Sequence, residues 1–157
     1  MRGKRLYSLT AVLLMASATM LMAHGDKHEA VEETLKNYAA AIASKDISKV
    51  EKYVVKDESF TVFEGGHVNN GWADYRDHHL APELKQFDSI SYEYNNIKVE
   101  TDEKLAFATF KYSIAIKMKD RNIKAEGLGT AILVNTPSGW KIRHLHTSRS
   151  PRRKSKS

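Results

Sequence analysis

The sequence predicts an α+β fold in which a curved antiparallel β-sheet wraps around three N-terminal helices. Apolar residues recur at helical spacing in the first half of the chain and at a spacing of two after Phe87. The loops between the later segments contain only three to five residues, which is typical of antiparallel hairpins. Helices followed by a run of hairpin strands form the element order of an α+β domain.

The first 23 residues have the composition of a signal peptide. Arg2, Lys4 and Arg5 precede an apolar stretch that ends in small residues, and cleavage is expected after Ala18 or Ala23. The alternative is an uncleaved membrane anchor, because the apolar stretch approaches the ~20 residues that span a bilayer. After cleavage no stable membrane span is expected, so the sequence predicts a periplasmic or secreted protein.

The charge of the chain is concentrated at its ends. The net charge of the whole chain is +6. Residues 1–23 contain three positive charges and residues 149–157 contain five, so residues 24–148 carry about −2. A mildly acidic domain does not have the charge of a nucleic-acid-binding domain, and no nucleic-acid partner is expected. The basic residues 149–157 are predicted to be a disordered tail. The absence of cysteine excludes disulfides and thiol chemistry.

Three helices are predicted before Phe87. Asp26 is the expected N-cap of the first helix, which should end near Ser44. Asp46 is positioned to cap a short second helix. The third helix is predicted at residues 72–80, where Pro82 should stop it.

Five strands complete the predicted fold. Residues 59–64 alternate in polarity, and Gly65 and Gly66 are expected to lead from this strand into the third helix. The later strands are predicted at residues 89–100, 104–118, 123–134 and 140–148. Gly127 and Gly129 should let the sheet bend sharply. A curved sheet over helices encloses a pocket, so a small-molecule ligand is expected.

This element order resembles the NTF2-like superfamily, and in particular its SnoaL-like, DUF4440-type bacterial members. The segments that carry the resemblance are NYAAAIASKDISKVEKYV, FTVFEGG, YRDHHL, EGLGTAILV and GWKIRHLHTS, and the likeness extends over about residues 29–148. The resemblance implies a cone-shaped domain with a pocket between the sheet and the helices, and a homodimer formed through the sheet. It does not imply one reaction, because similar folds serve as isomerases, cyclases, dehydratases, binding modules and assembly domains.

Two histidines in the last predicted strand are the leading candidates for a site. Side chains alternate along a strand, so His144 and His146 are expected to share a face with Trp140 and Ile142. The two apolar residues suggest that this face is enclosed. His144 and His146 should therefore face the pocket, with Ser148 at the end of the same face.

The third helix and the first strand supply further candidates. Trp72, Tyr75 and His79 recur at helical spacing, so Tyr75 and His79 approach the pocket if this helix covers it. Glu64, at the end of the first strand, is the candidate carboxylate. These residues complete a predicted set of pocket side chains.

Three interpretations of this set are open on the sequence alone. His79, His144 and His146, with or without Glu64, would bind zinc or copper, since His-x-His directs two imidazoles at one ion. The same side chains would alternatively bind a small organic ligand or exchange protons with it. In the third interpretation they only hydrogen-bond one another and polar neighbours such as Ser148. No cofactor is certain from the sequence.

The sequence therefore predicts an exported domain that binds a small molecule in a histidine-lined pocket. Acid–base catalysis on an unidentified substrate is one form of this prediction. The alternatives are a non-catalytic dimeric binding or assembly module, and a zinc- or copper-binding envelope protein.

Overall fold

The computed structural model of the protein describes residues 27–150. The predicted signal peptide, the predicted cap Asp26 and residues 151–157 of the basic tail lie outside these residues. Within residues 27–150, no helix is both long and apolar enough to cross a membrane.

Two helices open the described part of the domain. The first, α1, occupies residues 27–43, and the second, α2, spans Ile47–Val50. Asp46 caps α2 as predicted, because its Oδ1 accepts hydrogen bonds from the backbone N–H groups of Ser48 at 3.0 Å and Lys49 at 3.4 Å. The end of α1 agrees with the prediction to within one residue.

The third helical segment continues past its predicted end. It consists of α3 (Trp72–Tyr75), a π-helical turn (Arg76–Leu80) and α4 (Ala81–Gln86). The prediction that Pro82 stops this segment was wrong, because Pro82 lies in the first turn of α4, where no backbone N–H donor is required. The wider π turn breaks the α-helical hydrogen-bond ladder beforehand, so the proline begins a new α-helical turn instead of interrupting one.

One curved sheet contains all six strands of the described residues. They are β1 (Thr61–Glu64), β2 (His67–Asn70), β3 (Ser89–Thr101), β4 (Leu105–Lys117), β5 (Asn122–Thr136) and β6 (Gly139–Arg149). Their order is β2-β1-β6-β5-β4-β3. The four long strands agree with the prediction to within two residues at each end. The sheet is mixed, because β1 pairs with β6 in parallel while the other neighbours are antiparallel.

The second strand was absent from the sequence prediction. Gly65 and Gly66 do not lead into the third helix but form the two-residue turn of a hairpin, in which Glu64 pairs with His67. Their φ angles are 57° and 88°, a conformation that glycine adopts at low cost. Gly-Gly between alternating residues is a hairpin signal, so this strand was readable from the sequence.

The helices pack against one face of the sheet, which we call the inner face; the opposite face is the outer face. Ala108 and Phe110 of β4 belong to the buried core on the inner face. Phe110 lies directly opposite Gly129 of β5, and a Cβ atom added to Gly129 would lie 2.3 Å from the Phe110 ring. Glycine at this position therefore makes room for an aromatic ring of the core.

A one-residue bulge interrupts β6. Leu133 of β5 pairs with Ile142, whereas the neighbouring Ile132 pairs with His144. Arg143 is the extra residue that has no partner in this register. A one-residue insertion shifts the alternation of every side chain that follows it.

Candidate functional site

The bulge places His144 and His146 on the outer face of the sheet. Leu145 and Thr147 follow the bulge, and they are only 3% and 4% exposed because they face the core. The prediction that the histidines face the pocket was wrong, because it carried the alternation of Trp140 unbroken through the bulge. The last candidate on that strand face, Ser148, is exposed as well.

Two side chains of β1, Phe63 and Thr61, contact the outer-face histidines. The ring of Phe63 packs edge-on against both imidazoles, with centroid distances of 5.0 Å to His144 and 6.1 Å to His146. The Nδ1 atom of His144 lies 2.7 Å from the hydroxyl of Thr61. Burial lowers the pKa of the His144 imidazole, and the neighbouring His146 lowers it further.

The structure does not assemble the predicted three-histidine metal site. Glu64 and His79 lie on the inner side of the sheet, whereas His144 and His146 point away on the outer side. Among residues 27–150, no group of three or more His, Cys, Asp or Glu side chains is placed to hold a metal ion. The described residues therefore give no support to a zinc or copper site.

A cavity of about 350 Å³ lies between the inner face and the helices. Its walls are mostly apolar, with contributions from Leu80, Leu84, Phe87, Ile90, Ile114 and Leu145. The polar side chains that reach it include Glu64, Tyr75, Glu83, Tyr92, Tyr112 and Thr147. A mostly apolar cavity with a few converging polar groups has the size and character of a small-molecule site.

Glu64 provides the acid of this cavity. Its side chain is 46% exposed, and this partial burial raises the pKa of its carboxyl group, because partial removal from water disfavours the charged form. The positive charge available on His79 and His67 opposes this shift, whereas the carboxylate of Glu83 adds to it. The end of β1 thus holds a carboxyl group whose protonation is more favourable than in water.

His79 lies behind Glu64 and does not line the cavity itself. Its side chain is 15% exposed, and its Nε2 atom lies 3.8 Å from Glu64 and 3.6 Å from Glu83. Its Nδ1 atom lies 2.8 Å from the Oδ1 atom of Asn69. His79 therefore acts on the cavity through Glu64 and Glu83.

Hydrogen bonds of Asn69 determine which nitrogen of His79 carries a proton. The Nδ2 atom of Asn69 donates to the Asp74 carboxylate at 3.1 Å, and this contact fixes the orientation of the amide. The Oδ1 atom of Asn69 then faces His79 and can only accept, so Nδ1 of His79 donates. The Nε2 atom is left facing the two glutamates.

Tyrosine hydroxyls line the cavity near Glu64. Tyr75 pairs with Tyr38 at 3.5 Å, and Tyr92 pairs with Tyr94 at 3.2 Å. Burial raises the pKa of all four hydroxyls, and the charge of Glu64 raises it further at Tyr75 and Tyr92. All four hydroxyls therefore stay protonated, and those of Tyr75 and Tyr92, whose side chains line the cavity, can donate hydrogen bonds to an oxygen atom of a ligand.

The structure brings together three of the six predicted site residues, Glu64, Tyr75 and His79. Sequence reasoning missed Asn69, because β2 was not predicted, and Glu83, because the third helix was expected to end before it. Tyr92 was not among the predicted pocket residues, but it lies on the cavity wall. Both elements that the prediction omitted have a signal in the sequence. Gly65-Gly66 indicates the hairpin that contains β2, and Pro82 is suited to the first turn of α4.

A second depression, of about 620 Å³, lies on the outer side of the sheet. Its acidic side chains, Glu93 and Glu126, are exposed, so it contains no counterpart of the partly desolvated Glu64. The inner cavity is therefore the better candidate for a chemically active site.

Comparison with protein families identifies the class of this domain. Residues 31–152 match the family model of the SnoaL-like domain. The match covers more than half of the sequence, so the chain belongs to the SnoaL-like family. The resemblance inferred from the sequence is thereby confirmed, while the narrower DUF4440-type assignment stays a prediction. No curated relative matches the sequence.

Solved structures with low sequence identity share the fold. An NTF2-like superfamily protein from Salmonella enterica has a TM-score of 0.72 at 13% identity, covering 87% of this chain and 96% of its own. A Streptomyces avermitilis protein of the NTF2-like family, provisionally described as a dehydratase, has a TM-score of 0.73 at 15% identity, covering 81% and 98%. The CaMKII hub of S. rosetta has a TM-score of 0.61 at 20% identity, covering 78% and 96%. At these identities the likeness establishes the fold alone.

Proposed function

We propose that the inner cavity binds an apolar small molecule that has one oxygen-bearing end, and that Glu64 exchanges a proton with this molecule. The observation that carries the proposal is the raised pKa of Glu64 at the wall of a mostly apolar cavity of about 350 Å³. A carboxyl group shifted toward neutral pH is suited to general acid–base chemistry.

Each part of the cavity has a separate role in this proposal. The apolar walls bind the hydrocarbon part of the ligand, and the hydroxyls of Tyr75 and Tyr92 donate hydrogen bonds to its oxygen atom. Glu64 accepts a proton from a neighbouring carbon atom and returns it in a later step. His79 is a positioning residue, because it contacts Glu64 and not the cavity.

The similar solved structures are compatible with such chemistry. One of them is provisionally described as a dehydratase, and elimination of water requires a group that removes a proton. The fold alone does not define a reaction, so the proposal depends on the Glu64 carboxyl group of this chain.

Binding of 2-naphthol, an apolar fluorescent molecule with one hydroxyl group, tests the proposal. We expect saturable binding by the wild type, at least about tenfold weaker binding by Leu84→Arg, which fills the cavity with charge, and unchanged binding by the outer-face control His146→Gln. A pH profile of binding that changes in Glu64→Gln links the carboxyl group to the ligand. Equal binding by wild type and Leu84→Arg, with both proteins folded, would contradict the proposed cavity.

We propose further that two copies of the chain associate through the outer face. Every large apolar side chain that is well exposed in residues 27–150 lies on this face: Phe63, Val68, Leu105, Phe107, Leu128 and Ile132. Singly exposed apolar residues are common, but a continuous group of them marks an interaction surface. Sedimentation velocity should show a dimer for the wild type and a monomer for Phe107→Glu; a monomeric wild type at high concentration would contradict the dimer.

The export of the protein is also a proposal, supported by the composition of residues 1–23. N-terminal sequencing of the protein recovered from a bacterial periplasm or medium tests it. A new N-terminus after Ala18 or Ala23 is the expected result. Recovery of the intact chain from the membrane would instead favour an anchor.

A further inference from the structure

We propose that the outer-face dimer is acid-sensitive, because His144 and His146 lie at the centre of its interface and their protonation separates the two copies. This inference rests on the proposed dimer. It assigns a role to the two histidines, which the inner cavity does not use.

The pairing of the strands defines the position of the two imidazoles on the outer face. One row across the sheet runs from Thr61 through His144 and Ile132 to Phe107. Both apolar members of this row belong to the exposed group that forms the proposed interface. A copy of the chain that covers Ile132 and Phe107 therefore also covers His144.

The next row contains the second histidine. It runs from Val68 through Phe63 and His146 to Thr130. Val68 and Phe63 are 55% and 40% exposed, so this row also presents apolar surface to a partner. The two imidazoles thus lie between the apolar ends of the interface rather than at its margin.

In the described part of the chain, no carboxylate pairs with either imidazole on the outer face. The side chains that face them from β1 are Thr61 and Phe63, and those from β5 are Thr130 and Ile132, none of which carries a charge. On β6 itself the charged neighbour of His144 is Arg143, whose positive charge acts on Asp57. An imidazolium at these positions would therefore have no negative partner among residues 27–150 of its own chain.

The other carboxylates of the outer face lie away from the two imidazoles: Glu93 and Glu126 both pair with Ser113, and Glu100 lies on β3. Glu100 of β3 pairs with Phe107, and Lys98 of the same strand pairs with Thr109. They are separated from β6 by β4 and β5. Of the charges on these rows, only the carboxylate of Glu100 is negative, and it lies three strands from His144.

The direction of the pH effect follows from burial. A dimer interface removes the imidazoles from water, which favours the neutral form, as burial already does for His144 in one chain. Histidine ordinarily titrates near about pH 6.5, so the dimer is favoured above that value and weakens as the pH falls below it. Because a twofold interface contains each residue twice, four imidazoles contribute. Each proton that association must release weakens it about tenfold per pH unit.

Sedimentation velocity of the full-length protein at about pH 7.5 and about pH 5, at one ionic strength, tests the inference. The key variant is His144→Asn/His146→Gln, which keeps neutral hydrogen-bonding groups, with Asn placing a polar atom near the position of Nδ1. His28→Asn, which removes an imidazole from α1, is the matched control. Far-ultraviolet circular dichroism confirms that each protein is folded at both pH values.

We expect wild type and His28→Asn to dimerise at least about tenfold more weakly at about pH 5, and the double variant to dimerise equally at both pH values. Dimers of wild type that are equally stable at both pH values would overturn acid sensitivity while leaving the dimer intact. Equal weakening of the double variant would assign the effect to other groups. A wild type that is monomeric at about pH 7.5 would instead reject the underlying dimer.

Discussion

The Oδ1 atom of Asn69 accepts a hydrogen bond of 2.8 Å from Nδ1 of His79. Asn69 lies on β2, the strand that leads into the third helical segment, which contains His79. Because the amide of Asn69 also donates to Asp74, its orientation is fixed and the proton of neutral His79 is held on Nδ1. The other nitrogen therefore faces Glu64 across 3.8 Å. One buried amide thus orients the imidazole that supports the acid of the cavity.

Replacement of Asn69 by leucine should allow the proton of neutral His79 to occupy either ring nitrogen. We expect the side-chain ¹⁵N signals of His79 to show Nδ1–H in the wild type and a mixture of tautomers in Asn69→Leu. The variant should also lose about 1–3 kcal/mol of stability, because a buried donor loses its acceptor. Urea unfolding measures the second effect.

Asn70→Leu is the matched control for this substitution, since Asn70 contributes only its backbone N–H to the same carboxylate. It should leave the His79 signals unchanged. If Asn69→Leu keeps the wild-type tautomer, Asn69 does not position the imidazole.

Removal of the Glu64 charge should stabilise the protein at neutral pH. The pKa of Glu64 is raised, so the folded state binds this proton more tightly than the unfolded state, and wild-type stability decreases as the pH rises through the raised pKa. Glu64→Gln should therefore unfold at a higher temperature than wild type at about pH 7. The difference should shrink toward about pH 4, where both side chains are neutral.

Calorimetry across this pH range checks the prediction, with Glu93→Gln, on the exposed part of β3, as the control for loss of one charge. If the difference in unfolding temperature between Glu64→Gln and wild type grows as the pH falls, the pH dependence is opposite to the one expected. Such a result would mean that His79 and His67 outweigh the burial of Glu64.

Deletion of Arg143 should disrupt the last strand. Without the bulge, either Ile142 or the pair Leu145 and Thr147 must point outward. Exposing a buried aliphatic side chain costs about 1.5–3 kcal/mol before any loss of packing, so we expect a loss of several kcal/mol in urea unfolding. Arg143→Ser keeps the residue count and should remain close to wild type; equal stability of deletion and wild type would contradict the bulge.

Gly129→Ala should destabilise the fold by about 1–3 kcal/mol, because a Cβ atom there overlaps the ring of Phe110. Combining it with Phe110→Leu tests the cause. The cost of the alanine should become smaller once the ring is gone, as a double-mutant cycle in thermal unfolding would show. An unchanged cost in the Phe110→Leu background would show that the ring is not responsible.

The long strands were predictable because their alternation is regular. In β4, Ala106, Ala108 and Phe110 recur at a spacing of two, and the short loops before and after the strand fix its ends. The cap of α2 was predictable for a similar reason, since Asp46 acts on backbone groups next to it in sequence. Local rules thus gave most elements of the fold.

The face of the histidines was not predictable from the same rules. The apolar residues Trp140, Ile142 and Leu145 are separated by two and then three positions, which is the trace that a bulge leaves in a sequence. The interpretation that preserved simple alternation assigned His144 and His146 to the wrong face. Contacts such as that between His79 and Asn69 join a helix to a strand and depend on tertiary packing.

Histidine ring NMR in the presence of 2-naphthol tests most directly whether the inner cavity is the functional site. The seven histidines of the chain report on both faces of the sheet in one spectrum. We expect the ring signals of His79 and His67, next to Glu64, to shift on addition of 2-naphthol, while those of His144 and His146 stay in place. Shifts confined to His144 and His146 would place binding on the outer face and contradict a binding site in the inner cavity.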